Sequence, residues 1–290
     1  MRLVTYRAGA EPRIGLIRED RVVDLGDLAG DMVSLIEAGA PALAQARRAA
    51  ESPTRDSLAL ADVKLLAPLQ PRGNVLAIGL NYRKHAEESA RNRGGEVGPP
   101  TVFTKATTSL IGPTDDIVAD DSISPKLDWE VELGVVIGLA GSNIPRGNAF
   151  DHVFGYTVIN DVSARDLQHS WGGQWFKGKS LDRTSPVGPC IVTLDELGDP
   201  QSLRISLRLN GVSKQEGWTG DMIHPVDRLI EWLAVGMTLQ TGALIATGTP
   251  EGVGNARTPP EYLRPGDLME TEIEGIGTLT NRVVAPPSRS

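Results

Sequence analysis

Three carboxylates alternate with apolar residues along the stretch Leu127–Leu133. Successive side chains of a β-strand point to opposite faces, so Asp128, Glu130 and Glu132 should share one face. Like charges on one face repel, and burying them without a partner costs free energy, so a cation is expected nearby. The stretch itself contains no Lys or Arg. Two interpretations stay open, a solvated acidic face and a site for a divalent metal ion.

A further carboxylate, Asp161, follows the apolar run Val153–Ile159 at the predicted end of a strand. Asp166 stands in a capping-box pattern, which predicts a structural role at the start of a short helix. We therefore predict that Glu130, Glu132 and Asp161 form one site of oxygen ligands. Such a site suits Mg²⁺ or Mn²⁺, or else Ca²⁺, better than Zn²⁺. The simpler alternative is that Asp161 only caps a turn.

His85 and Glu88 lie three residues apart in a predicted helix, close enough for their side chains to touch. A carboxylate beside an imidazole orients the ring and raises its basicity, so this pair could activate a water molecule. The alternative is a surface ion pair between Lys84 and Glu88. The following segment, Ser89–Pro100, is polar and lacks an apolar period, which predicts a mobile lid over a site.

The segment Gly173–Ser180 matches the phosphate-loop pattern G-x-x-x-x-G-K-S. A phosphate loop requires a buried strand before it and a helix after it. Here a helical pattern precedes the segment, and Pro186 and Pro189 follow it. We therefore interpret Lys179 as a cation directed at an anionic substrate, and nucleotide binding is the weaker alternative.

Composition excludes several classes of function. The formal charge of −8 and the pI of about 5.1 argue against nucleic acid or an anionic membrane as the main partner. The longest apolar region, Leu229–Thr247, is interrupted by Glu231 and Gln240, so we expect a cytoplasmic protein without a membrane span. Cys190 is the single cysteine, which rules out an internal disulfide and predicts a core residue.

Patterning divides the chain of 290 residues into two parts. Short alternating runs near the N-terminus predict a three-stranded antiparallel meander, at Arg2–Tyr6, Arg13–Ile17 and Arg21–Leu25. A helix interrupted around Pro41 should follow over Asp31–Ala50. We expect a small N-terminal α+β domain at 1–70, bounded by a polar linker near 51–56 and by prolines.

The larger part, 71–290, has many short β-rich runs and few helical patterns. Asn210-Gly211 between two such runs predicts a hairpin, and Glu274-Gly275 predicts another near the C-terminus. One amphipathic helix should begin after Pro225. The sequence as a whole therefore predicts the α+β class, with a β-rich mixed-sheet roll preceded by the small domain.

Six segments, taken in order, resemble the fumarylacetoacetate hydrolase superfamily over about residues 75–284. They are Gly79–Glu88, Phe103–Lys105, Asp128–Gly134, Asn160–Gln168, Gly178–Ser180 and Thr247–Pro250. The resemblance implies a C-terminal β-roll that carries the site, a homodimer, and a divalent metal on Glu130, Glu132 and Asp161. It also implies that Lys179 and four further residues lie near the substrate, namely Lys105, Arg165, Gln168 and Thr249.

The spacing of His85 and Glu88 looks like that of the acylpyruvate hydrolase and oxaloacetate decarboxylase branch. Our leading expectation is therefore hydrolysis of a C–C bond in a 2,4-dioxo acid through a metal-bound enolate. His85, Glu88 and Lys179 would be the catalytic residues, and a small oxo acid the substrate. The alternatives are a decarboxylase or keto-enol isomerase of a 2-oxo dicarboxylic acid on the same site, and a protein in which the metal has only a structural role.

Overall fold

The computed structural model describes residues 1–52, 56–90 and 100–287, with only the backbone given at 88–90. The described strands are β1 (Arg2–Arg7), β2 (Arg13–Arg18), β3 (Arg21–Asp24), β4 (Ser57–Ala59), β5 (Lys64–Leu65), β6 (Val75–Gly79), β7 (Thr101–Lys105), β8 (Leu110–Ile111), β9 (Ile117–Val118), β10 (Leu127–Asp128), β11 (Val131–Ile137), β12 (Val153–Asn160), β13 (Ser163–Ala164), β14 (Ser185–Thr193), β15 (Arg204–Leu209), β16 (Val212–Trp218), β17 (Leu244–Ala246), β18 (Leu268–Ile273) and β19 (Gly277–Val284). The described helices are α1 (Met32–Glu37), α2 (Gly39–Glu51), α3 (Arg83–Ala90), α4 (Arg165–Ser170), α5 (Leu194–Leu197) and α6 (Val226–Leu233).

The N-terminal part forms the predicted meander of β1, β2 and β3, followed by two helices. The helix over Asp31–Ala50 is interrupted as predicted, but the break comes at Ala38, before Pro41. Proline lacks an N–H, and the first turn of a helix leaves its N–H groups without partners inside the helix, so Pro41 is tolerated near the start of α2.

One large mixed sheet joins the two parts of the chain. Its strands run in the order β4-β3-β2-β1-β14-β12-β11-β17-β6-β7. The N-terminal meander enters this sheet because β1 pairs antiparallel with β14, with Arg2 opposite Val192 and Leu3 opposite Ile191. The division of the chain at about residue 70 therefore stays a proposal.

A second sheet, in the order β16-β15-β18-β19-β9, packs beside the first. The predicted hairpin at Asn210-Gly211 joins β15 to β16, with positive φ angles of 54° and 76° at the two turn residues. That geometry matches the right-handed twist of the flanking strands. The predicted C-terminal hairpin joins β18 to β19 at Glu274-Gly275.

The fold is sheet-rich with short helices, which confirms the predicted α+β class. The strands β11 and β12 are neighbours inside the large sheet and are buried along their whole length. Cys190 is 1 % exposed, as expected for a core residue. In the described ranges, no helix has both the length and the apolar character that crossing a membrane would require.

Candidate active site

The acidic stretch is two strands rather than one. Strand β10 ends at Asp128 and β11 begins at Val131, so Trp129 and Glu130 form a break between them. The Trp129 indole is fully buried and donates a hydrogen bond to the carbonyl of Gly252 at 3.2 Å. Asp128 is not part of the group of close carboxylates that Glu130 and Glu132 form with Asp161.

The pairing of β11 with β12 places Asp161 beside Glu130. Val131 is opposite Asn160, the Asp161 N–H donates to the Glu130 carbonyl at 2.9 Å, and the Asn160 side chain accepts from the Glu130 N–H at 3.0 Å. One carboxylate oxygen from each of Glu130, Glu132 and Asp161 lies within 4.8 Å of the others. The structure thus brings together the three predicted metal ligands.

These carboxylates are not a solvated face. Glu130 is 5 % exposed, Glu132 is 1 % exposed and Asp161 is fully buried. The interpretation of an acidic strand face directed to solvent is therefore wrong. Buried carboxylates must be compensated by cations or hydrogen-bond donors.

Two buried lysines, distant in sequence, supply part of that compensation. The Lys179 ammonium lies 2.7 Å from Glu130 Oε2 and 2.7 Å from Asp161 Oδ2. The Lys105 ammonium lies 2.6 Å from Asp161 Oδ1 and also donates to the carbonyl oxygens of Lys179 and Val162. Both lysines therefore contact the acidic triad directly.

Arg165, on α4, links the triad to Asp128. Its Nη2 lies 2.7 Å from Glu130 Oε1 and 2.7 Å from Asp128 Oδ2. Its Nη1 donates to Gln168 Oε1 at 3.1 Å, so Arg165 and Gln168 form one buried unit. Arg165 thus contacts the triad and Gln168 contacts Arg165, and their position near a substrate stays a prediction.

The pKa values show that the positive charge is unevenly distributed. Burial alone would raise the pKa of the Glu130 carboxyl, but the charges of Lys179, Arg165 and His85 lower it to about 2. Burial and repulsion from Asp161 and Glu130 instead raise the pKa of Glu132 well above its usual range. Glu132 is therefore the member of the triad whose negative charge is least compensated by the protein.

The pKa values of the two lysines shift in opposite directions. Burial lowers the pKa of Lys105, with a further lowering from the Lys179 charge, and this outweighs the attraction of Asp161. For Lys179, attraction to Asp161 and Glu130 outweighs burial, so the pKa of the ammonium is raised.

The residues fit a hard divalent cation. The three candidate ligands offer carboxylate oxygen only, and divalent magnesium, manganese and calcium prefer such oxygen ligands. The raised pKa of Glu132 identifies a position where a further positive charge would be stabilised.

The loop after β17, which contains Gly248 and Thr249, binds Glu132 and the backbone of Val131. Gly248 adopts a φ of +100° and donates its N–H to Glu132 Oε2 at 2.8 Å. The Thr249 hydroxyl donates to the Val131 carbonyl at 2.9 Å. The predicted substrate-binding residue Thr249 therefore supports the backbone between the two glutamates.

Gln215 is a site-supporting residue that the sequence did not indicate. Its side chain, 1 % exposed, accepts from the Val131 N–H at 3.0 Å and donates to the Thr249 hydroxyl at 2.9 Å. Gln215 comes from β16, whose pattern predicted only a hairpin strand, and no local signal marks it. Gly248, by contrast, lies within a segment that carried the family resemblance.

His85, on α3, is 7 % exposed. It contributes to lowering the pKa of the Glu130 carboxyl. The start of α3 is fixed because the Asn81 amide donates to the carbonyls of His224 and Thr247 at 3.0 and 2.7 Å. Lys84 pairs with Glu251 at 3.2 Å.

The Glu88 side chain lies outside the described part of the molecule, as do most residues of the predicted lid at Ser89–Pro100. The His85–Glu88 pair, the alternative Lys84–Glu88 pair and the lid therefore stay predictions.

The phosphate-loop match does not have phosphate-loop geometry. The segment follows α4 instead of a strand, and it ends in a short 3₁₀ helix, Lys177–Lys179, which leads to β14. Lys179 points to carboxylates, which is the wrong environment for a phosphate. The predicted distinction between this segment and a phosphate loop agrees with the geometry.

Asp166 is outside the triad, as predicted, but the capping box is wrong in detail. The N-cap residue of α4 is Ala164, not Ser163. The Ser163 hydroxyl donates to the Asp161 carbonyl at 2.9 Å. Asp166 instead accepts from the Ser124 hydroxyl at 2.5 Å and from the Leu167 N–H at 3.0 Å.

Comparisons with known proteins show what this chain is similar to. The oxaloacetate tautomerase YisK of Bacillus subtilis is 42 % identical over 276 residues, which cover 91 % of this chain and 90 % of the relative. The solved fumarylacetoacetate hydrolase of Exiguobacterium antarcticum superposes with a TM-score of 0.87 at 37 % identity, covering 99 % of this chain and all of the other.

A maleylpyruvate hydrolase from Sphingobium sp. SYK-6, solved in complex with manganese(II) and pyruvate, superposes with a TM-score of 0.82 at 29 % identity. It covers 99 % of this chain and all of the other. The family described as fumarylacetoacetate (FAA) hydrolase C-terminal matches residues 74–284. The chain therefore belongs to the fumarylacetoacetate hydrolase family.

Proposed function

We propose that this protein is a divalent-metal-dependent enzyme that interconverts the keto and enol forms of a 2-oxo dicarboxylic acid of the oxaloacetate class. The observation that carries the proposal is the buried triad of Glu130, Glu132 and Asp161 with Lys179 and Arg165 in contact with it. The similarity to an oxaloacetate tautomerase over most of the chain supports it.

The triad would hold Mg²⁺ or Mn²⁺, with Ca²⁺ as a third candidate. A bound divalent ion would draw electron density from a 2-oxo carboxylate and ease the loss of a proton from the neighbouring carbon. Glu130, Glu132 and Asp161 would fix its position, and Lys105 would hold the Asp161 carboxylate through their 2.6 Å contact.

Lys179 is the side chain that we assign to the developing negative charge. An ammonium has three N–H donors, and two of them are directed at Glu130 and Asp161. The third can donate to the 2-oxo oxygen of a substrate, where negative charge grows as the enol forms. Arg165 and Gln168 would hold a substrate carboxylate at the same end of the site.

His85 is the group that we assign to the proton. An imidazole can take up and release a proton near neutral pH, and tautomerisation moves one proton between carbon and oxygen without adding water. Its position on α3, close enough to act on Glu130, supports this role. Thr249 would act through Val131, since its hydroxyl is engaged there.

Hydrolysis of a C–C bond in a 2,4-dioxo acid is the second candidate. It would use the same triad, and it would need in addition a water molecule activated by His85 with Glu88 as its partner. The similarity to a maleylpyruvate hydrolase supports it. We keep a homodimer and a cytoplasmic location as part of both proposals, and light scattering on the purified protein tests the first.

The deciding experiment follows the ultraviolet absorbance of the oxaloacetate enol with purified protein and Mg²⁺ or Mn²⁺, beside a panel of acylpyruvates. We expect metal-dependent ketonisation, and His85→Ala should slow it by about 10²–10⁴-fold. Glu88→Ala should then have a much smaller effect, as should Glu87→Ala, its neighbour in sequence. Faster cleavage of an acylpyruvate, with Glu88→Ala as damaging as His85→Ala, would instead support the hydrolase. Full activity in excess chelator would exclude both.

A further inference from the structure

The Arg165 guanidinium lies between two buried carboxylates with different surroundings. Two of its nitrogens, Nε and Nη2, lie 2.7 Å from Asp128 Oδ2, and Nη2 also lies 2.7 Å from Glu130 Oε1. Glu130 belongs to the triad, and Asp128 does not. The Arg165 guanidinium can therefore pair more closely with either Glu130 or Asp128.

Asp128 is fixed on its own side by backbone donors. Its Oδ1 accepts from the N–H groups of Trp129 at 2.8 Å and Gly254 at 2.6 Å, and its Oδ2 accepts from Asn255 at 2.9 Å. The residue is fully buried. Because these donors belong to the backbone, Asp128 cannot follow Arg165 if the guanidinium moves toward Glu130.

The formal charges of the described cluster balance to within one unit. Four buried carboxylates, Asp128 and the triad, face three buried cations, Lys105, Arg165 and Lys179. Without the charge of Asp128, Arg165 would have Glu130 as its remaining carboxylate contact. It would then compete with any cation for that oxygen.

We propose that Asp128 is a positioning residue that holds and neutralises Arg165, and so keeps Glu130 available to the divalent cation. This inference rests on the proposed metal-dependent function. It gives the aspartate a role in metal affinity although it is not a ligand. Partners that orient metal ligands from outside the ligand set commonly affect metal affinity in this way.

The test measures the dissociation constant for Mn²⁺, by titration calorimetry and by the electron paramagnetic resonance signal of free Mn²⁺, on metal-stripped protein. Asp128→Asn should weaken Mn²⁺ binding by about 10–100-fold, as changes in such partners typically do. The double variant Asp128→Asn with Arg165→Met has the formal charge of the wild type. We expect its affinity to return to within about threefold of wild type, because the two changes act through one interaction.

A purely structural role for Asp128 predicts another result. If Asp128 only anchors the Gly254 and Asn255 backbone, then the double variant should bind Mn²⁺ as weakly as Asp128→Asn or more weakly, and that outcome would overturn the proposal. Arg165→Met alone decides the matter if Asp128→Asn does not fold. It should bind Mn²⁺ more tightly than wild type, and equal or weaker binding would count against the proposal.

The chain provides a matched control. Asp227 forms a two-point pair with Arg146 at 2.8 and 3.3 Å on the surface. Asp227→Asn makes the same chemical change at a residue outside the triad, and its Mn²⁺ affinity should equal that of wild type. Wild-type protein that fails to bind Mn²⁺ would refute the proposed function itself, which separates that failure from a failure of this inference.

Discussion

Replacing Gly248 with alanine tests how the loop after β17 holds the site. Gly248 has a φ of +100°, and a Cβ atom added there would lie 2.7 Å from Asn81 Cβ. The backbone strain costs about 1–2 kcal/mol. Relieving the overlap costs about 1–3 kcal/mol more, as for other overpacked positions.

These costs translate into a measurable change in melting temperature. Unfolding entropy is about 2.1 cal/mol/K per residue, which gives about 0.6 kcal/mol/K for the 290 residues of this chain. A loss of about 2–5 kcal/mol should therefore lower the melting temperature by about 3–8 °C. Differential scanning calorimetry measures this shift.

The same change should weaken metal binding. The Gly248 N–H is the backbone donor to Glu132 Oε2, and moving the loop away from Asn81 withdraws it. We expect Mn²⁺ affinity to fall by about tenfold, the lower end of the effect of losing such a partner. Titration calorimetry on metal-stripped protein measures this change.

Gly266 is the matched control. Its φ is +104°, but an added Cβ would have nothing within 4 Å. Gly266→Ala should therefore show the strain alone, a shift of about 2–3 °C, with Mn²⁺ affinity unchanged. Equal losses of melting temperature and of Mn²⁺ affinity in the two variants would refute the reasoning about Asn81 and Glu132.

Three further predictions follow from contacts of single carboxylates and of Lys179. Glu130→Gln and Asp161→Asn should each weaken Mn²⁺ binding strongly in calorimetry, because each removes a full charge from the proposed ligand set, whereas Asp166→Asn should leave it near wild type. Lys179→Met should impair turnover and also tighten Mn²⁺ binding, since the ammonium contacts two of the proposed ligands, Glu130 and Asp161. Unchanged affinity would show that Lys179 and Mn²⁺ do not compete. Burial raises the pKa of Asp24, but hydrogen bonds from Arg13, Gly26 and Tyr6 lower it more, so the net shift is downward. Asp24→Asn should therefore reduce stability to urea at neutral pH by about 1 kcal/mol, a loss that should shrink as pH falls through the depressed pKa, and a constant loss at all pH values would contradict this.

Local patterns predicted the elements that local interactions determine. Both hairpins and the amphipathic helix after Pro225 were predicted because turn residues and apolar spacing act within a few residues. The triad was predictable for a related reason. Two of its members alternate on one strand, and Asp161 stands at the end of the adjacent strand.

The break in the acidic stretch was not predictable from its own residues. Asp128 binds Arg165 and the Gly254 and Asn255 N–H groups, and these partners are distant in sequence. The prediction of a capping box at Asp166 was wrong for the same reason, since the Asp166 carboxylate accepts a hydrogen bond from the distant Ser124 hydroxyl. Such contacts depend on tertiary structure, which a local pattern does not contain.

The antiparallel pairing of β1 with β14 has a consequence for engineering the chain. Residues 74–284 carry the family match, yet β1 covers the edge of β14 at Ile191 and Val192. Cutting the chain near residue 70 would open that apolar edge, and an uncovered strand edge is a template for aggregation. We expect the larger fragment alone to self-associate, and to become monodisperse when the N-terminal fragment is supplied as a separate chain, which size-exclusion chromatography would show.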